Sequence, residues 1–190
     1  MILAVAVMAA LMTGCGDPPD VANSALPTPA SGSVVAEPAP SNAPKEDVNF
    51  NAGAPGAAYL GEGFSTQEGW GVWTDGPVAK VNLPTSVVPP GTKVLRFLVN
   101  GFIGEASPTQ SVQVFINGAS AGTWTWTWPG EGAAPAERVV TLPEGTISAT
   151  APVMQIEFRI ATPVSPADVG LNADARKLGL ALSGVSFGAG

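Results

Sequence analysis

The sequence predicts an all-β domain: an antiparallel β-sandwich, jelly-roll-like, with one short helix, preceded by a disordered Pro/Ala-rich tether. Three observations lead there. From Ala57 onward, apolar and polar residues alternate in short runs. Gly and Pro interrupt those runs at short intervals, in a chain with 23 glycines and 19 prolines. No segment of this region carries a long 3.6-residue period. A stretch of about 130 residues is enough to build a two-sheet core.

The 190-residue chain opens MILAVAVMAALMTGC. This apolar run is too short to span a bilayer comfortably. It ends in small residues, as the h-region of a signal peptide does. Leu11-Met12-Thr13-Gly14-Cys15 resembles a bacterial lipobox, which implies lipidation of Cys15 and cleavage before it. Residues 1–14 are then the signal peptide. No Lys or Arg precedes Cys15, which departs from the usual signal-peptide start and leaves a translation start upstream open. The alternatives are an ordinary secretory peptide or an uncleaved anchor. A lipid anchor would account for an odd cysteine in an oxidising compartment. Gly16, rather than Asp, follows the cysteine, and by resemblance to known sorting signals this points to the periplasmic side of the outer membrane in a Gram-negative cell.

Residues 15–56 form the lipidated N-terminus and linker. Pro, Ala, Ser, Gly and Asn dominate them, and large apolar residues are few. Such a composition buries no core and stays disordered or extended. Fully extended at ~3.1 Å per residue, forty residues reach on the order of 120 Å.

The sandwich is placed at residues 57–188. Lys93 to Gly101 sets Leu95, Phe97 and Val99 on one face. Gln110 to Gly118 sets Val112, Val114 and Ile116 on one face and stops at Asn117-Gly118, a strong hairpin signal. The return strand, 120–128, carries a strict Trp/Thr alternation. Arg138 to Leu142 is a short strand. Val153 to Ile160 points Met154, Ile156, Phe158 and Ile160 inward, and Leu178 to Phe187 closes the chain. Ser165 to Leu171 is the helix, with Ser165 as N-cap and Pro166 at the first helical position.

Composition excludes several function classes. The net charge of -7 and the lack of a basic stripe argue against nucleic acid. Without histidine, no Ser-His-Asp or Cys-His arrangement and no His-containing zinc site can be built. The lone Cys15 excludes an intrachain disulfide and a multi-cysteine metal site. Glu68, Asp75, Glu157 and Asp174 are available for paired-carboxylate chemistry, but nothing in the sequence brings two of them to one cleft. A calcium site of carboxylates and carbonyls stays open, although no D-x-D-x-D-G loop supports one, and no metal site or cofactor is assigned.

Residues 63–76 read GFSTQEGWGVWTDG, and residues 162–179 read TPVSPADVGLNADARKLG. Together they resemble the C-terminal domain of membrane-bound phosphoglycerol transferases that decorate periplasmic glucans, a domain also appended to other envelope proteins. The resemblance rests on Gly63, Phe64, Ser65, Glu68, Trp70, Gly71, Trp73 and Thr74, then on Pro163, Ser165, Pro166, Arg176, Lys177, Leu178 and Gly179. It covers nearly all of residues 57–187. It implies a β-sandwich accessory domain of the cell envelope associated with glycan. It does not imply transferase activity, because the sulfatase-like catalytic domain of those enzymes is absent from this sequence.

A sugar lies with its C–H face on an aromatic ring while planar polar groups take its hydroxyls, the usual composition of a small-ligand site. Two places supply that composition. The first is Glu68, Trp70, Trp73 and Asp75 with Arg176. Glu68 and Asp75 either accept sugar hydroxyls or pair with Arg176 and Lys177 to pin the terminal strand, with both tryptophans as core corners. The second is Trp124, Trp126 and Trp128, about 6.5–7 Å apart along one strand face. That row either fills the core or forms a platform, and its end at Trp128 is the candidate site. The function expected is a non-catalytic envelope lipoprotein that binds or is associated with cell-envelope glycan. The alternatives are a protein–protein module docking onto envelope polysaccharide or phosphoglycerol-transfer machinery, or a structural domain with neither role.

Overall fold

The computed structural model describes residues 47–130, 135–147 and 151–189. The predicted signal peptide, Cys15 and the tether as far as residue 46 lie outside the described residues. In chain order the strands are β1 (Val48–Asn49), β2 (Val72–Trp73), β3 (Val78–Pro84), β4 (Val94–Gly101), β5 (Thr109–Ile116), β6 (Ala119–Thr127), β7 (Ala136–Thr141), β8 (Val153–Ile160) and β9 (Leu180–Gly188). They make two antiparallel sheets. In the first, β1 and β2 lie one after the other along one edge of β9, and β4 and β7 continue on the other side. The second runs β3-β8-β5-β6.

Alternation sets which side chains meet between the sheets. β4 buries Leu95, Phe97 and Val99, and β8 buries Met154, Ile156, Phe158 and Ile160. β6 resolves the Trp/Thr row: Trp124 and Trp126 turn inward, and Thr123, Thr125 and Thr127 face solvent. Trp124 packs between the sheets, its ring centroid 5.5 Å from Phe97 and 5.9 Å from Phe158. Trp126 stands edge-on to Trp124 at 6.3 Å, beneath the Arg138 guanidinium. A Cβ on Gly101 would lie 2.7 Å from the Trp126 ring, so β4 ends where that indole needs bare backbone. Each large side chain buried in this cluster contributes roughly 1.5–3 kcal/mol.

Three sequence expectations are corrected. The domain begins before Ala57: β1 pairs with β9, and Phe50 is fully buried, so residues 47–56 belong to the sandwich rather than to the tether. Their Pro/Gly-rich composition hid two strand residues and one core aromatic. Strand β3 was not expected at all, although Ala79, Val81 and Leu83 alternate into the core. The segment Ser165–Leu171 is a run of turns, not a helix. Ser165 does cap it: Ser165 Oγ accepts from the Asp168 N–H at 3.0 Å, and Asp168 Oδ2 accepts from the Ser165 N–H at 3.4 Å. Gly170, at φ 73°, then diverts the chain before a second helical turn can form.

Antiparallel pairing gathers the connections at two ends. The connections 74–77, 102–108 and 161–179 and the segment after β6 leave the strands at one end. Strand pairing thus brings together segments far apart in the chain.

Candidate functional site

Residues 64–74 fold into a narrow hairpin. Phe64 pairs with Thr74, and Glu68 with Gly71, so Gly69 and Trp70 form its tip. The Glu68 N–H donates to the Gly71 carbonyl at 2.7 Å. Gly71 sits at φ 150°, and a Cβ there would fall 2.5 Å from the Leu182 carbonyl oxygen. The hairpin therefore lies backbone-on-backbone against β9, an approach open only to glycine. Thr74 fastens the other end: its Oγ1 accepts from the Leu180 N–H at 3.0 Å.

This geometry explains the three-residue spacing of Trp70 and Trp73. Val72 between them goes into the core. Trp70 rides the hairpin tip, 38% exposed, and Trp73 is half-buried. Their rings meet edge-on at 5.7 Å and 75°. Trp73 meets Phe102 in the same way, at 5.7 Å and 89°. Three aromatics thus form a continuous arc whose neighbouring planes stand nearly perpendicular, a favoured packing of ring quadrupoles. They are not core corners.

A polar network braces the arc. Trp70 Nε1 donates to Glu68 Oε2 at 3.0 Å. Arg176 donates from Nη1 to Ser65 Oγ at 3.1 Å and to Glu68 Oε1 at 3.5 Å. Its Nε and Nη2 grip Asp174, with Nη2 to Oδ2 at 2.6 Å. The Arg176 guanidinium holds the Asp174 carboxyl below the usual carboxylate range, and Asp174, then Glu68, raise Arg176 in return. The expected pairing of Glu68 with Arg176 is present, but Asp174 is the main partner.

Asp75 and Lys177 meet differently from the expected ion pair. Asp75 Oδ1 accepts the backbone N–H of Lys177 at 2.8 Å, while the Lys177 ammonium goes to Asp168. The Lys177 and Ser165 hydrogen bonds bring the Asp168 carboxyl down to about 2. Segments 63–76 and 162–179 therefore interlock residue by residue, through Ser65, Glu68 and Asp75 on one side and Arg176 and Lys177 on the other.

Of the remaining carboxylates, Glu157 lies on β8 in the other sheet, against Arg159 at 2.6 Å and Lys80 at 3.8 Å. Glu68 and Asp174 flank one guanidinium. Among the described residues, no three His, Cys, Asp or Glu side chains are grouped to hold a metal ion.

Trp128, 44% exposed, follows β6 at the same end of the sandwich. Its N–H donates to the Pro108 carbonyl at 2.8 Å, but the rings meeting Trp73 are Trp70 and Phe102. Trp128 lies at the same end of the sandwich but is not part of the arc. The sequence did not single out what lies beyond Phe102: a groove of about 450 Å³ lined by Phe102, Ile103, Glu105, Ser107, Val169 and Leu171, among others. The apolar pair Phe102-Ile103 directly after a strand-ending glycine was the available signal. Only the topology sets it beside residues 169–171.

No family model and no curated protein matches this sequence. Among solved structures, the chain is similar to a glycoside hydrolase family 43 arabinoxylan arabinofuranohydrolase from Bacillus subtilis in complex with cellotetraose, at 13% identity and a TM-score of 0.33, over 62% of this chain and 20% of that one. It is also similar to the carbohydrate-binding module CBM36 in complex with calcium and xylotriose, at 14% identity and a TM-score of 0.32, over 68% of this chain and 88% of that one. The chain spans about a fifth of the hydrolase's length.

Proposed function

We propose that the sandwich is a non-catalytic carbohydrate-binding domain of a lipid-anchored protein of the bacterial cell envelope. The observation that carries this reading is the Trp70–Trp73–Phe102 arc, partly open to solvent and braced by Glu68, Ser65 and Arg176. It offers apolar faces to sugar C–H groups beside fixed acceptors for hydroxyls. Because neighbouring rings are turned by 75° and 89°, the arc suits a bent, soluble glycan chain. A flat crystalline surface would call for coplanar rings. The non-catalytic assignment is supported by the ion pair of Asp174 with Arg176, which holds that carboxylate in its charged form rather than as a proton donor.

The test is affinity electrophoresis or calorimetry of the full chain, in detergent, against neutral oligosaccharides of differing linkage. Trp70→Ala and Trp73→Ala are each expected to weaken binding of the retained glycan by about tenfold or more, ~1.4 kcal/mol. A wild-type chain that retains none of them, or variants that bind as well as wild type, would overturn the reading.

The envelope assignment rests on Leu11-Met12-Thr13-Gly14-Cys15. Cys15→Ser is expected to abolish acyl labelling and membrane fractionation, and unchanged fractionation would remove the anchor. A second reading, docking of an envelope protein, is favoured by Leu171, 69% exposed beside the apolar groove. Leu171→Asp would then disrupt partner capture while leaving any glycan retention intact.

A further inference from the structure

We infer that the site selects uncharged glycan and turns anionic glycan away, an inference that rests on the carbohydrate reading above. The segments 61–77, 102–108 and 161–179 carry six carboxylates, Glu62, Glu68, Asp75, Glu105, Asp168 and Asp174. Their cations are two, Arg176 and Lys177. Both cations are already committed. Arg176 donates from Nε, Nη1 and Nη2 to Asp174, Ser65 and Glu68. The Lys177 ammonium is held by Asp168. From outside these segments, Lys80 answers Glu62 at 2.7 Å. The other described cations, Lys93, Arg96, Arg138 and Arg159, lie just before or on β4, on β7 and on β8.

A phosphate or carboxylate substituent would therefore meet a net negative field, six carboxylates against Arg176, Lys177 and Lys80. A bidentate grip on it by Arg176 would mean breaking that side chain away from Asp174, Ser65 or Glu68. Hydrogen bonding points the same way. An ionised carboxylate only accepts, so Glu68, Asp75 and Glu105 call for a donor-rich ligand. Sugar hydroxyls donate, and anionic oxygens do not. The groove beyond Phe102 has Glu105 as its one charged lining residue, so its lining brings no cation to a charged substituent.

The test uses matched pairs: neutral glucose hexasaccharides of differing β-linkage, and the same hexasaccharides oxidised to carboxylates at C6. They are titrated into the full chain in detergent at low and at high ionic strength. The neutral member is expected to bind about tenfold more tightly at low salt, and the gap to close as salt screens the field. Glu105→Lys is expected to narrow the gap at low salt. If the oxidised member binds as tightly or more tightly at low salt, the selectivity is overturned while the carbohydrate reading stands. If neither member of any pair binds, the carbohydrate reading fails and the selectivity fails with it.

Discussion

Trp126→Ala is expected to lower the free energy of unfolding by about 3–5 kcal/mol, the cost typical of emptying a buried aromatic position. Trp128→Ala, two residues along the same alternation, is expected to cost under about 1 kcal/mol. The difference follows from exposure, 1% for Trp126 and 44% for Trp128. Trp126 fills the space between Gly101 and Trp124 and carries Arg138 on its face at 5.0 Å. Among the described residues its Nε1 has no hydrogen-bond partner, so Trp126→Phe gives up ring volume without giving up a bond to any of them. That variant is expected to fall between the other two. Urea unfolding of the three variants checks the order, and equal costs at 126 and 128 would mean the row does not divide as described.

Gly71→Ala is expected to damage both stability and the candidate site. Holding a non-glycine residue near φ 150° costs roughly 1–3 kcal/mol in the backbone alone. The added Cβ would also collide with the Leu182 carbonyl and the Ser183 Cα, which are backbone and cannot swing aside. The hairpin must lift off β9, carrying Trp70 and Glu68 with it, so glycan retention should fall along with the unfolding midpoint. Gly69→Ala is the control: it lies at the same tip, and a Cβ there meets nothing within 4 Å. Thermal unfolding and glycan binding of the pair test this, and a Gly71→Ala protein indistinguishable from wild type would show that the hairpin is not pinned to β9.

The sequence made most of the sandwich legible, because two-residue alternation records which face of a strand is buried. The strand at 153–160 needed no adjustment, and Leu95, Phe97 and Val99 lie inside as the pattern requires. β3 alternates as clearly, with Ala79, Val81 and Leu83 inward, but Pro77 before it and Pro84 at its end weaken it as a strand signal. β1 was hidden for a physical reason: an edge strand of two residues carries too little pattern to stand out from a Pro-rich stretch. The candidate site was half legible. Glu68, Trp70, Trp73 and Arg176 were chosen as residue types, and they do meet. Phe102 and Leu171 were not chosen, because their nearness to Trp73 or to the groove depends on strand order. The Lys177–Asp75 contact passes through a backbone N–H, which no side-chain pattern encodes.

β1 has a mechanical consequence. Whatever pulls on the chain ahead of Asp47 loads the sandwich first through two strand rungs, Val48 with Val185 and Asn49 with Gly184. Behind them Phe50 is fully buried, its N–H bonded to the Ser183 carbonyl at 2.9 Å, and Asp47 Oδ2 accepts the Phe187 N–H at 2.7 Å. A pull along the strand direction puts these bonds in shear, so they resist together rather than parting one by one. Phe50 then works as a stopper knot: a pull from ahead of Asp47 meets it before it meets the hairpin that carries Trp70.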